Sequence, residues 1–167
     1  MECEVRPTLR PLVSTGVTFY GVRGSTPFSA STHLGFGGNT CCAVIDIPDE
    51  KPIILDMGSG LFAYSKALGD CALEATVLLT HLHWDHVAGL PFFSPVLCPG
   101  GVLDIYGPPD EGMTLEAAIR TLIKPPFFPV TIDDFAGELR IHDLWCDDLE
   151  VGTAKVWEVD HKARLLD

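Results

Sequence analysis

The sequence predicts an α/β fold, and three patterns along the chain lead to that prediction. Strand-like runs open the chain, a helix-like segment follows, and a buried strand-like run comes after it. Strand, helix and strand in this order are typical of sheets covered by helices. The 167 residues are 47% hydrophobic and 20% charged, which suits one globular domain over residues 1–167 with a substantial core.

The first half of the chain is expected to begin as a β meander. Residues 1–15 form an N-terminal extension, and residues 17–22 then alternate apolar and small side chains up to a turn. Residues 40–47 and 52–56 are rich in β-branched residues and flank a polar turn, which indicates a hairpin. These segments are therefore predicted to be neighbouring strands.

A helix and a buried strand are predicted next. Ser59 or Gly60 can cap a helix that runs to residue 68 and ends at Gly69. Residues 75–80 are a short apolar run, which predicts a buried strand. This strand leads directly into the most unusual segment of the chain.

The second half is predicted to continue with strands around one helix. Thr114 can cap a helix that ends at residue 124, because a proline follows immediately. Further strands are predicted at residues 102–106, 138–144 and 154–160. The proline-rich segment 125–129 is either a lid over a site or a loop that covers the core.

Four potential metal ligands lie within six positions, namely His81, His83, Asp85 and His86. Imidazoles with a carboxylate suit zinc and similar first-row cations, whereas calcium and magnesium prefer oxygen ligands alone. If the chain turns sharply after the strand, the first two histidines can bind one ion. Asp85 and His86 can then face a second ion about 3.5–4 Å away. Leu82 and Trp84 alternate with the ligands and are predicted to pack the loop onto the core.

This motif and several neighbouring segments resemble a known family. The histidine motif, with Thr80 before it and Gly-Leu-Pro at residues 89–91 after it, resembles the metallo-β-lactamase-fold hydrolases. Residues 19–27, 37–40 and 54–60 look like the opening segments of its phosphodiesterase-like branch. That branch includes ribonuclease Z, which processes tRNA 3′ ends, and cyclic-phosphate phosphodiesterases. The resemblance is strongest over residues 17–98.

The resemblance implies a fold and a ligand set. The fold is an αββα sandwich, of which this chain carries the N-terminal half and part of the second half. The family holds two metal ions, for which we expect Zn²⁺, with Mn²⁺ or Fe²⁺ as alternatives. His161, at the end of a predicted strand, matches the third histidine ligand of the first ion. His33 and His142 lack a partner motif and are expected to be structural or solvated.

The resemblance also implies a mechanism, namely hydrolysis of a phosphodiester or cyclic phosphate by a metal-bound hydroxide. Asp85 would orient or deprotonate the nucleophile as well as bind the second ion. Asp56 matches a carboxylate that supports a metal-bound histidine. As an alternative, Asp56 is a turn residue that accepts hydrogen bonds from the amides of Gly58 and Ser59.

Two alternatives to an active enzyme stay open. The family completes its second metal site with a bridging carboxylate and a further histidine, but only six residues follow His161. The chain is then a truncated, catalytically incompetent metal-binding homologue, or a half-domain completed by another chain. An exposed apolar sheet face would be the physical mark of the half-domain.

The charge and composition of the chain limit the kinds of partner that we expect. Eleven basic and 23 acidic residues give a formal charge of −12, which argues against a broad nucleic-acid-binding face without excluding one. We expect a small anionic phosphate ester as substrate, with a concavity at residues 35–39 and Arg23 as candidate phosphate contacts. The sequence leaves open whether the chain forms a homo-oligomer. Without a signal-peptide-like or membrane-length apolar run, we expect a cytoplasmic protein that does not contact membranes.

The six cysteines lack the spacing of a disulfide framework or a metal knuckle, so most are expected to be buried free thiols.

Overall fold

The computed structural model describes residues 14–31, 35–69 and 71–145, and the strand backbone of residues 150–151 and 154–155. Its centre is a six-stranded sheet whose strands follow one another in chain order. These strands are β1 (Gly16–Gly21), β2 (Cys42–Asp46), β3 (Ile53–Leu55), β4 (Glu74–Leu78), β5 (Val102–Gly107) and β6 (Glu138–Asp143). A separate two-stranded sheet consists of β7 (Glu150–Val151) and β8 (Ala154–Lys155).

The sheet changes from antiparallel to parallel at β3. Strands β1, β2 and β3 pair antiparallel, which confirms the predicted meander, and β3 to β6 pair parallel. The predicted ends of these six strands are correct to within two residues. Strand β4 ends earlier than predicted because the amide of Thr80 donates to the side chain of Asp56 instead of to a neighbouring strand. Beyond Lys155, the predicted strand 154–160 lies outside the described residues.

Helices connect the parallel strands. The described helices are α1 (Gly60–Leu68), α2 (Trp84–Val87), α3 (Ser94–Leu97) and α4 (Leu115–Leu122), with 3₁₀ turns at Leu90–Phe92 and Ile132–Asp134. Thr114 caps α4 as predicted, since its hydroxyl accepts a hydrogen bond from the Ala117 amide at 3.2 Å. Ser59 occupies the N-cap of α1 but makes no capping bond. Its hydroxyl accepts from the Thr40 amide instead.

The core lies between the helices and one face of the sheet. Val44, Ile54, Val77 and Ile105 are paired across neighbouring strands, and each is completely buried. Helix residues such as Leu61 pack against this row. Burying a side chain of this size stabilises the fold by about 1.5–3 kcal/mol. The predicted α/β class is therefore confirmed by one sheet with helices packed on one face.

The opposite side of the sheet, which we call the open face, lacks such a cover within the described ranges. Val17, Phe19 and Leu78 are 54%, 69% and 40% exposed there. On the last two strands of the sheet, the open face carries polar and aromatic side chains, namely Asp104, Tyr106, Arg140 and His142. His142 stacks on Tyr106 with ring centroids 4.5 Å apart, as a structural residue would.

Four cysteines fall in the described part of the chain, and all four are free thiols. Cys42 and Cys71 are buried, whereas Cys41 and Cys98 are partly exposed. The described helices include none with the length and apolar character needed to cross a membrane.

Candidate functional site

The predicted site residues lie at the carboxyl ends of β3 and β4, the edge where open parallel sheets usually bind ligands. Asp56 directly follows β3, and Thr80 to His86 follow β4. The Asp56 amide donates to the carbonyl of Leu78 at 3.1 Å, which joins the two strand ends. The parallel pairing therefore brings together side chains that are far apart in sequence.

Two glycines allow the loops after these strands to approach closely. A Cβ on Gly58 would lie 2.1 Å from the carbonyl oxygen of Asp85, and one on Gly89 would lie 2.1 Å from that of Gly58. The Met57 amide also donates to the carbonyl of His86 at 2.8 Å. Helix α2, which carries Asp85 and His86, is thus held directly against the loop that carries Asp56.

Asp56 holds the imidazole of His86. Its Oδ2 lies 2.9 Å from Nδ1 of His86, and its Oδ1 accepts from both the amide and the hydroxyl of Thr80 at 2.8 Å. The side chains of Asp56 and His86 are only 10% and 13% exposed. Asp56 has a φ of 61°, which is uncommon for a residue other than glycine. A bond at Nδ1 fixes the ring and leaves Nε2 for a ligand.

The alternative in which Asp56 is a turn residue that accepts hydrogen bonds from the amides of Gly58 and Ser59 is wrong, because both amides donate to other acceptors. The Gly58 amide donates to the carbonyl of Cys41 at 2.9 Å. The Ser59 amide donates to the hydroxyl of Thr40 at 2.8 Å. Asp56 instead has the contacts of a residue that supports a histidine.

Asp85 faces the same imidazole from the other side. Its Oδ2 lies 3.4 Å from Nε2 of His86 and accepts a hydrogen bond from the Ser25 amide at 2.7 Å. Burial opposes ionisation of this carboxyl. That effect is outweighed by hydrogen bonds from the backbone amides of Ser25 and of Asp85 itself, and by the charges of the nearby His86 and His81. The pKa of Asp85 therefore lies below its ordinary value. Asp85 is therefore a carboxylate at neutral pH.

His81 and His83 complete the cluster. The His81 ring centroid lies 4.5 Å from that of His83 and 4.0 Å from that of His86. The Thr80 hydroxyl lies 3.0 Å from Nδ1 of His81 and 3.2 Å from Nδ1 of His86. Three imidazoles and two carboxylates therefore meet at one edge of the sheet.

The donor set fits a zinc-like cation in its chemistry, since it combines imidazole nitrogens with carboxylate oxygens. Over residues 14–31, 35–69 and 71–145, however, no three His, Cys, Asp or Glu side chains are placed so that together they could hold one ion. The predicted third ligand, His161, lies outside the described residues. The division of ligands between two ions stays a prediction.

Three surrounding features refine the sequence interpretation. Leu82 is partly buried against the core as predicted, but the same prediction for Trp84 is wrong because its side chain is 61% exposed. Arg23 donates to the carbonyl of Thr26 at 2.7 Å, and its guanidinium lies 5.4 Å from the ring of Phe28. The glycine-rich loop borders a cavity of about 410 Å³. Phosphate contacts at this loop stay a prediction, and His33 lies outside the described residues.

Sequence reasoning missed the roles of Thr80 and Ser25. A hydroxyl directly after a buried strand and next to a histidine pair is a local signal that points to Thr80. The contact of Ser25 with Asp85 spans 60 residues and depends on a φ of 72° at Ser25, so no local pattern indicates it.

Comparison with known proteins supports the resemblance of the chain to ribonuclease Z. The chain is 27% identical over 157 residues to a ribonuclease Z of Natronomonas pharaonis, covering 92% of this chain and 47% of that protein. It is also 27% identical over 128 residues to a ribonuclease Z of Methanothermobacter thermautotrophicus, covering 74% and 38%. These relatives confirm the resemblance to the ribonuclease Z-like branch. The chain spans less than half the length of either relative.

No protein-family model matches the chain. Among solved structures, the metallo-beta-lactamase fold protein YhfI from Bacillus subtilis aligns with a TM-score of 0.47 and 21% identity, covering 80% of this chain and 46% of that one.

Proposed function

We propose that this chain contributes the histidine-motif half of a metal-dependent phosphodiesterase. The observation that carries the proposal is the Asp56–His86–Asp85 contact at the carboxyl edge of the parallel strands, with distances of 2.9 and 3.4 Å. A nearly buried imidazole held between two carboxylates is an arrangement that suits a cation. The ribonuclease Z relatives favour a phosphodiester as the bond that is cleaved.

His81, His83, Asp85 and His86 would hold the metal, with His161 as a further candidate ligand. A bound zinc-like ion would supply a Lewis acid and lower the pKa of its bound water towards about 7.

The protein's own groups would position the reaction. Asp56 holds Nδ1 of His86, so the ring presents Nε2 to the site. Thr80 donates its hydroxyl proton to Asp56 and fixes the carboxylate in turn. Asp85, oriented by the Ser25 amide, would orient the attacking water or accept its proton.

A small phosphate ester is the substrate class that we favour. The formal charge of −12 would repel an extended polyanion, and this penalty grows with the number of phosphates in contact. A single phosphate can be held by the cation and by the amides of the glycine-rich loop.

The first experiment is elemental analysis of metal content together with turnover of bis(p-nitrophenyl) phosphate. We expect bound transition metal and turnover, and we expect His83→Ala to lose both. His142→Ala is the matched control because its ring lies on the open face against Tyr106. A correctly folded protein that binds no zinc or manganese and shows no turnover would contradict the proposal and favour a catalytically incompetent homologue.

The open face favours a second candidate, in which the chain is a half-domain completed by another chain. Apolar side chains such as Phe19 and Leu78 would be covered by a second sheet, contributed either by another copy of this chain or by a different polypeptide. Sedimentation equilibrium of the purified chain tests whether the cover comes from another copy of this chain. A mass of about 18.1 kDa at all concentrations would contradict self-association.

A further inference from the structure

The hydroxyl of Thr80 contacts three groups of the histidine cluster. Its Oγ lies 2.8 Å from Oδ1 of Asp56, 3.0 Å from Nδ1 of His81 and 3.2 Å from Nδ1 of His86. A threonine hydroxyl has one proton to donate and two lone pairs that accept. It can therefore donate to only one of these three groups, and it must accept from any other group with which it forms a hydrogen bond.

The carboxylate of Asp56 receives that single proton. Ionised carboxylates accept hydrogen bonds and do not donate them, so Thr80 is the donor in its contact with Asp56. The Thr80 amide donates to the same Oδ1, also at 2.8 Å, which holds the residue beside this acceptor. Towards the two imidazoles the hydroxyl is consequently an acceptor. A protonated Nδ1 can donate to it, whereas an unprotonated Nδ1 would face it lone pair to lone pair.

This direction of the hydrogen bonds selects one tautomer of His81. Because Nδ1 lies only 3.0 Å from the hydroxyl oxygen, the favourable arrangement has the ring proton on Nδ1. A neutral imidazole carries one ring proton, so Nε2 is then unprotonated. A metal ion requires an unprotonated ring nitrogen. The Thr80 hydroxyl thus leaves Nε2 of His81 able to bind a cation.

His86 has a second acceptor for its ring proton. Its Nδ1 lies 2.9 Å from Oδ2 of Asp56, closer than the 3.2 Å to the Thr80 hydroxyl. A hydrogen bond to a charged acceptor is also about twice as strong as one between neutral groups. The carboxylate therefore fixes the tautomer of His86 directly. His86 can accordingly serve as an internal reference for any change at Thr80.

We propose that Thr80 is a positioning residue through which Asp56 fixes the ring tautomer of His81. Nδ1 of His81 donates to the Thr80 hydroxyl, which donates to Oδ1 of Asp56, while Nδ1 of His86 donates to Oδ2. One carboxylate then orients two histidines, one by direct contact and one through a hydroxyl. The tautomer follows from these contacts alone, whereas its value for metal binding rests on the proposed function.

The tautomers can be measured in the metal-free chain. Two-bond ¹H–¹⁵N correlation spectra of ¹⁵N-labelled protein distinguish the two neutral ring forms, and single histidine substitutions assign the signals. At about pH 8.5, an ordinary histidine with a pKa of about 6.5 is neutral. We expect the Nδ1–H form at both His81 and His86. In Thr80→Val, His81 should become a mixture of both forms and His86 should keep its form.

Two further variants and a binding measurement complete the test. Thr80→Ser keeps the hydroxyl and should restore the spectrum of the unmodified protein. Thr76→Val is the matched control because it makes the same chemical change on β4, where Thr76 pairs with Asp104 of the open face. Chelator competition should show zinc affinity weakened about tenfold by Thr80→Val and unchanged by the other two variants. Urea unfolding checks that each variant is folded.

The Nε2–H form at His81 in the unmodified protein would overturn the inference, and so would a His81 signal that Thr80→Val leaves unchanged. A joint change of His81 and His86 in Thr80→Val would also overturn it, because the hydroxyl would then act only by holding Asp56.

Failure of the proposed function is distinguishable from failure of this inference. A Thr80-dependent tautomer of His81 in a chain that binds no zinc or manganese would retain the tautomer assignment and reject the metal-dependent activity. Zinc binding that Thr80→Val leaves unchanged would retain the metal site and reject the positioning role of Thr80.

Discussion

The two faces of the central sheet are built from similar residues but have different surroundings. On the helix-covered face, Ile54, Val77 and Ile105 are completely buried. On the open face, Phe19 and Leu78 are 69% and 40% exposed. Both faces are rich in apolar side chains over the first four strands. The difference teaches that the apolar character of a strand does not by itself say which of its faces is covered.

The first and largest prediction compares one leucine from each face. Leu103→Ala should destabilise the fold by about 2–5 kcal/mol because it leaves a cavity in the core. Leu78→Ala on the adjacent strand makes the same chemical change at an exposed position and should cost about 0.5 kcal/mol. Urea unfolding measures both. Equal losses would show that the open face is covered in solution.

The second prediction compares two aspartates that each face a histidine. Asp56 lies 2.9 Å from His86 in a nearly buried pair, whereas Asp104 lies 3.8 Å from the more exposed His142. Asp56→Asn should weaken zinc affinity about 10- to 100-fold, since it loosens a histidine that we expect to bind metal. Asp104→Asn should leave the affinity unchanged. Competition with a chelator measures both, and a similar effect of the two variants would argue against the proposed role of Asp56.

The strands and the ligand types could be predicted from sequence because both are local properties. Alternating, β-branched and continuous apolar runs located the six strands of the main sheet, and Thr114 was recognisable as a helix cap. The contacts that organise the site are tertiary. Ser25 reaches Asp85 across 60 residues, and the direction of Trp84 depends on how α2 packs. The extent of the single domain over residues 1–167 and the role of His161 stay predictions.

The third prediction uses cysteine thiols to measure how well the helix-covered face of the sheet excludes solvent. Burial, with a contribution from Asp56, raises the pKa of Cys42 to about 12. An unfolded thiol ionises near about 8.5, so the unfolded state loses its proton first and stability falls as pH rises from about 8.5 towards the folded pKa. At pH 9.5 the loss should be about 1.4 kcal/mol, corresponding to about one pH unit. Urea unfolding at pH 7.5 and pH 9.5 should show this loss in the unmodified chain, and it should be smaller in Cys42→Ala.

Cys98 provides the internal comparison because it is partly exposed. At pH 8.5, a thiol reagent should label Cys98 in the folded protein within minutes while Cys42 reacts only after unfolding. Rapid labelling of Cys42 without denaturant would mean that the covered face opens far more readily than its burial indicates.

The smallest expected effect is that of Phe19→Thr on the open face. If nothing covers Phe19, the substitution should change the free energy of unfolding by no more than about 0.5 kcal/mol and leave the sedimentation coefficient unchanged. Phe36→Thr is the matched control, since Phe36 is 91% exposed and lies in the glycine-rich loop instead of on the sheet. If the chain is a half-domain that pairs with a copy of itself, Phe19→Thr should shift the protein towards monomer and Phe36→Thr should not. A shift confined to Phe19→Thr would therefore identify the open face as an interface, because both variants remove the same side chain from an exposed position and only one of these positions lies on the sheet.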